Sequence, residues 1–206
     1  QIGLVEQIFD WFREENTLIM VDPVMGDGGK LYKTYTPEMA SGMARLCGRA
    51  DIVVPNMTEA HHLLEREYDP GPYTRQQIEG ILKGLCALGP RMAVLTGVWL
   101  KEGSLGTACY DAATGEAELY LTDRIEGFYH GTGDLFASAL LGGLLNGMSL
   151  NAACETATEF TWRTIETTHE KCADHRFGPK FECHLPWLGE KMEACRKTIA
   201  NPVDLR

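Results

Sequence analysis

Three short, largely apolar runs constrain this chain most, because each is closed by a polar or glycine-rich segment and set off by helical periodicity. Residues 17–21 end at Asp22-Pro23, residues 51–54 at Pro55-Asn56, and residues 92–95 at Thr96-Gly97. A continuous apolar run fits a strand covered on both faces, as in parallel sheets. Around them, residues 2–15 carry apolar side chains at 2, 4, 5, 8, 9, 11 and 12, with acidic residues opposite. That is a helical stripe. Thr36-Pro37-Glu38 has the cap and first-turn proline of a helix start, and that helix is expected to run to Gly48. Residues 58–65 and 74–88 also read as helices, the first placing His61 and His62 on an amphipathic helix. Alternating strands and helices imply βαβ units with right-handed crossovers and a mainly parallel sheet.

Beyond the third run the pattern changes. Residues 106–111 and 118–121 read as strands joined by a turn at Ala113-Thr114-Gly115. Two long helices follow over 133–146 and 149–169, and a last one over 186–199. No repeat, low-complexity tract or linker interrupts the chain, so a single domain over residues 1–206 is expected. The four tryptophans read as packing residues.

A formal charge of −10 disfavours nucleic acid and anionic membranes as partners, since both call for a basic surface. It leaves room for an anionic small molecule, because local backbone dipoles and a divalent cation override the overall sign. Cys47, Cys86, Cys109, Cys154, Cys172, Cys183 and Cys195 are scattered, odd in number and without a C-x-x-C pair. This is the usage of a reduced, cytoplasmic protein. Cys172, His175, Cys183 and His184 match no common zinc spacing and read as surface residues. The apolar stretch 135–145 is too short to span a bilayer, and no signal peptide is visible. The first residue is Gln1 rather than Met, so the natural N-terminus is expected to lie elsewhere.

In open α/β sheets, ligands bind beyond the carboxyl ends of the strands. Here those ends carry Asp22 followed by Val24-Met25-Gly26-Asp27-Gly28-Gly29, then Asn56 with Glu59, then Thr96 with Gly97, and finally Gly131-Thr132-Gly133-Asp134. Each has a local explanation: Asp22 ends a strand before Pro23, Asn56 and Glu59 have capping-box spacing, and Asp27-Gly28-Gly29 is turn chemistry. Asp134 in a first helical turn equally suits a dipole. Turns alone do not readily explain all four together. Two glycines around a hydroxyl let backbone approach a ligand, and the unpaired first-turn amides favour an anion. His130 beside them reads as a loop histidine within reach of a phosphate.

Asp22-Pro23-Val24-Met25-Gly26-Asp27 followed by Gly29-Lys30-Leu31-Tyr32, Val54-Pro55-Asn56-Met57-Thr58-Glu59 and Gly131-Thr132-Gly133-Asp134-Leu135-Phe136-Ala137 together resemble the pyridoxal/pyridoxamine kinases of the ribokinase-like superfamily. The resemblance covers nearly the whole chain. Gly-x-Gly-Asp alone marks only the superfamily, whereas the segment 22–32 narrows it to the vitamin B6 kinases. It implies a three-layer α/β/α sandwich, ATP and Mg²⁺ as cofactors, K⁺ as a further cation, and a homodimer. It further implies that Asp134 is the base towards the 5′-hydroxyl of the pyridine substrate, and that Gly131, Thr132 and Gly133 form an anion hole. Asp22, Asn56, Thr96 and Gly97 would meet the nucleotide, Asp27 and Glu59 the metal (Glu59 through water), and Tyr32 the flap over the site.

Two departures qualify this. Val54 stands where some relatives have a threonine that helps to hold a monovalent cation, which counts against K⁺. Family members also carry several dozen residues ahead of the position where this sequence starts, so much of the vitamin-ring pocket and part of the dimer interface are expected outside it. The nearest rival, a hydroxymethylpyrimidine kinase on the same scaffold, typically has Cys where this chain has Asp134. A non-catalytic nucleotide- or B6-binding protein is the rival of another class, disfavoured by Asp134, Asn56 and Glu59 occurring together.

Overall fold

The computed structural model describes residues 1–171 and 178–200. Two compact units make up the chain, Gln1–Glu102 with Gly106–Leu119, and Gly103–Leu105 with Tyr120–Arg206.

The first unit contains helices α1 (Ile2–Phe12), α2 (Pro37–Gly48), α3 (Met57–Leu63) and α4 (Arg75–Ala87), and strands β1 (Met20–Val21), β2 (Gly26–Asp27), β3 (Lys30–Leu31), β4 (Ile52–Val53) and β5 (Met92–Val98). A hairpin of β6 (Ser104–Asp111) and β7 (Glu116–Asp123) follows. The five-stranded sheet has the order β1-β4-β5-β6-β7, with β1, β4 and β5 parallel and β6 antiparallel to β5. Ile52, Leu82, Leu85, Leu95 and Met25 are almost fully buried around it. The expected alternation and its parallel centre are present.

Helix starts are set locally. Thr36 Oγ1 accepts the Met39 amide, with Pro37 in the first turn of α2. Thr74 and Gln77 form a reciprocal capping box on α4. Each such cap is worth about 1 kcal/mol. On α3, His61 is buried and bonded through Nδ1 to the Met57 carbonyl, while His62 is exposed, as the amphipathic pattern predicts.

Strand lengths differ from expectation. The run 17–21 pairs only over Met20–Val21, because the Asp51 side chain takes the Ile19 amide where a ladder partner would stand. The third strand does not stop at Leu95. It continues through Thr96 to Val98 over a bulge at Gly97, whose φ of 72° suits glycine. Thr96 and Gly97 therefore lie within β5 rather than beyond it.

In the second unit, α5 (Thr132–Leu145) packs on α6 (Leu150–Lys171), and α7 (Leu185–Ala200) follows a 3₁₀ turn at Glu182–His184. A Cβ on Gly143 would lie 3.1 Å from both Ala153 and Met148, so glycine permits the close approach of α5 to α6. The buried hydroxyls of Thr158, Thr164 and Thr168 bond the carbonyls four residues back. These bonds satisfy three buried donors of a threonine-rich helix, whereas the buried Thr161 hydroxyl has no partner among the described residues.

Trp99 and Trp162 donate their indole N–H to Pro70 and Asp123 carbonyls, and Trp187 lies under Arg163 and Lys191. Trp11 departs from the packing expectation at 66 % exposure, alongside exposed Leu4 and Phe12 on α1. Cys172 and His175 lie outside the described residues. Cys183 bonds the Lys180 carbonyl and His184 bonds Thr167. Among the described residues, no group of three potential ligands that could hold a metal is present, and no helix is long and apolar enough to cross a membrane.

Candidate active site

The first unit brings together the segments that follow β1 and β4 and the interior of β5 at Thr96. Asn56, just past β4, forms an isolated parallel bridge with Thr96 in β5, and the Thr96 amide donates to the Pro55 carbonyl at 3.1 Å. Asn56 is also the N-cap of α3. Its Oδ1 accepts the Glu59 amide and its Nδ2 donates to the Gly26 carbonyl, both at 2.9 Å.

Glu59 completes the capping box by accepting the Asn56 amide at 2.8 Å through Oε2. Its other oxygen accepts the Met25 amide at 2.9 Å. The local reading of this pair is thus correct, and each side chain also reaches the segment that follows β1. Glu59 is only 3 % exposed. Burial lifts its carboxyl to about 7 despite the amide donors from Asn56 and Met25, and the nearby charge of Asp22 pushes the same way.

The segment 22–32 projects as the antiparallel hairpin β2–β3. A Cβ on Gly26 would sit 2.2 Å from the Lys30 carbonyl oxygen, so only glycine fits the strand there. Asp27, exposed at the tip, accepts the Gly28 amide at 2.7 Å, and Gly28 and Gly29 take φ of 56° and 79°. Thr58 Oγ1 then accepts the Gly29 amide at 2.9 Å, fastening the turn to α3. Tyr32 follows at 47 % exposure. Its phenol is raised above the ordinary value by partial desolvation, then by the fields of Asp27, Glu59 and Asp22. Asp22, Asp27, Glu59 and Tyr32 therefore share one electrostatic environment.

The second unit holds residues 131–134. Gly131 is the N-cap of α5 in the left-handed region, at φ 83° and ψ 6°, with no side-chain capping bond. The helix begins at Thr132, one residue earlier than expected. Thr132 Oγ1 donates to the Tyr129 carbonyl at 3.1 Å. A Cβ built on Gly131 or Gly133 would meet nothing within 4 Å, so backbone is open on that side. Asp134 is exposed, and among the described residues its carboxylate has no hydrogen-bond partner. A residue serving only as a cap would bond a first-turn amide; this one does not. His130 is exposed and held edge-on by Phe128, with ring centroids 4.7 Å apart.

Sequence reasoning missed Thr58 and Tyr129. Thr58 lies inside the Asn-x-x-Glu motif, but its partner Gly29 is 29 residues away. Tyr129 precedes the glycines without any motif of its own.

The model of the family described as phosphomethylpyrimidine kinase matches residues 1–180. A pyridoxine/pyridoxal/pyridoxamine kinase of Bordetella avium is 29 % identical over 158 residues, covering 73 % of this chain and 50 % of that protein. The chain thus spans about half the length of this curated relative. A Bacteroides thetaiotaomicron structure with pyridoxal, provisionally described as a phosphomethylpyrimidine kinase, superposes with a TM-score of 0.86 at 31 % identity, covering 92 % of this chain and 66 % of that one. Pyridoxal kinase from Lactobacillus plantarum gives 0.80 at 30 % identity, covering 94 % and 69 %. These likenesses bear out the ribokinase-like α/β fold, and the match over residues 1–180 shows that the chain belongs to the phosphomethylpyrimidine kinase family.

Proposed function

We propose that this protein transfers the γ-phosphoryl of MgATP to the 5′-hydroxyl of pyridoxal, pyridoxine or pyridoxamine, within one kinase domain over residues 1–206. The observation that carries the reading is Asp134: an exposed carboxylate without a hydrogen-bond partner among the described residues, in the first turn of a helix entered through left-handed Gly131. In this mechanism the substrate oxygen attacks the γ-phosphorus, the bond from that phosphorus to the bridging oxygen of ADP breaks, and Asp134 takes the hydroxyl proton. First-turn amides at 132–133 stabilise the charge on the transferring group. The protein supplies position and charge rather than a covalent intermediate.

In the first unit, Asp22, Asn56, Thr96 and Gly97 are assigned to the nucleotide, and Tyr32 to the flap. Mg²⁺ fits the hard oxygen donors available, with Asp27 open to solvent and Glu59 acting through water. When bound it would neutralise phosphate charge. Val54 is 3 % exposed and has no side-chain oxygen, which leaves K⁺ without a ligand from that position. Free cysteines among the described residues support a reduced, cytoplasmic setting, and we infer a homodimer from the family likeness.

A second reading, phosphorylation of a hydroxymethylpyrimidine, is favoured by the description of the matching family. Asp134 in place of cysteine speaks for the B6 substrate. The test is ATP-dependent phosphorylation of the three B6 vitamers and of hydroxymethylpyrimidine by wild-type protein and Asp134→Asn. The variant should keep ATP binding and lose about 10²–10⁴ in turnover. Wild-type turnover in it removes Asp134 from the chemistry, and preference for the pyrimidine establishes the second reading.

A further inference from the structure

We propose that Tyr129 is a positioning residue that, together with His169, sets the orientation of the anion-binding turn at 131–133. The assignment concerns the same site as the proposed kinase reaction and rests on that reading for its kinetic consequence.

Gly131 sits in the left-handed region and a Cβ there would meet nothing within 4 Å, so no contact on that side fixes its direction. Glycine is also the residue with the widest backbone freedom. The turn's orientation must therefore come from its neighbours. Residues 126–128 are exposed, as are His130 and Gly131; within this stretch only Tyr129 is partly buried.

Among the described residues, Tyr129 ties the loop in three ways. Its hydroxyl donates to the Glu126 carbonyl at 2.9 Å, closing the loop on itself. The same oxygen meets His169 Nδ1 at 2.8 Å, fastening the loop to α6 forty residues later. Its carbonyl accepts the Thr132 hydroxyl at 3.1 Å, reaching across Gly131 to the first helical residue. A Cβ on Gly127, at φ 125°, would lie 2.9 Å from the phenol oxygen, so glycine there lets the ring fold back over the chain.

The protons are determined by the partners. A carbonyl only accepts, so the phenol proton belongs to Glu126, and His169 Nδ1 must donate to the phenol oxygen. Burial raises the Tyr129 phenol, which keeps that donor protonated. The two side chains form a relay from α6 to the backbone that brackets Gly131.

The test compares Tyr129→Phe, His169→Leu and His169→Asn by amide hydrogen exchange of residues 126–135 and by steady-state kinetics with MgATP and pyridoxal. Asn places an N–H donor near the position of Nδ1, whereas Leu places none. His169→Leu should speed exchange in the turn by about tenfold, the loss of one hydrogen bond, and Tyr129→Phe, which removes both bonds of the hydroxyl, by at least as much. They should lower kcat by up to about 100-fold, the scale of a 1 Å misplacement, with KM for pyridoxal unchanged. His169→Asn should stay near wild type, and the double variant Tyr129→Phe/His169→Leu should be no worse than Tyr129→Phe, which by itself removes the bond to His169.

Wild-type exchange in Tyr129→Phe, or His169→Asn as impaired as His169→Leu, overturns the proposal. If Tyr129→Phe fails to fold, the His169 pair decides by the same two readouts. Wild-type protein that phosphorylates none of the vitamers refutes the functional reading, while the exchange pattern still decides whether Tyr129 and His169 hold the turn.

Discussion

The carboxylate of Glu59 holds the amide of Met25 at 2.9 Å across 34 residues of chain, while its second oxygen caps its own helix. One side chain thus joins the start of α3 to the segment that leads into the β2–β3 hairpin. Removing it as Glu59→Ala leaves two amides without their acceptor. At about 1–3 kcal/mol for each buried unsatisfied donor, the loss should exceed that of an ordinary surface substitution several-fold. Urea melts of the variant and wild type measure it; a difference below about 0.5 kcal/mol contradicts the assignment.

Glu59 also predicts a pH dependence. Its folded carboxyl is lifted to about 7, well above its ordinary value of 4.5. Between those values the folded protein binds more protons than the unfolded chain, so stability falls as pH rises from about 4.5 to about 7. The full difference is a few kcal/mol at most. Denaturant midpoints collected from pH 5 to 8 should show this decline in wild type and lack it in Glu59→Gln. An equal decline in both would place its origin elsewhere.

Thr58 fastens the hairpin turn through the Gly29 amide. Thr58→Val keeps the shape and removes the acceptor, costing about 1 kcal/mol, while Thr58→Ser retains it. If the hairpin serves as the flap, Val should raise KM for the vitamer and Ser should not. The kinetic constants of the two variants decide this.

Gly131→Ala tests the left-handed cap. The added methyl has open space, so its cost is conformational, about 1–2 kcal/mol. The protein should fold, and phosphoryl transfer should drop because the backbone relaxes from φ 83°. Unchanged turnover would show that this conformation is not needed for the reaction.

What the sequence determined by itself was local or carried by pattern. The caps at Thr36 and Asn56 were legible because both partners lie within three residues. The parallel centre of the sheet was legible in its largely apolar runs, and the candidate residues in the motifs at the strand ends. Tertiary structure decided what depends on distant partners. Asp51 shortened the first strand by taking the Ile19 amide, and pairing with β6 carried the third strand across Gly97. Spacing alone left Glu59 as a capping residue; the amide of Met25 and the surrounding core turned it into a buried carboxylate near neutrality. Hydrogen bonds to remote backbone and desolvation leave no periodic trace in a sequence, which is why those features appear only once the chain is folded.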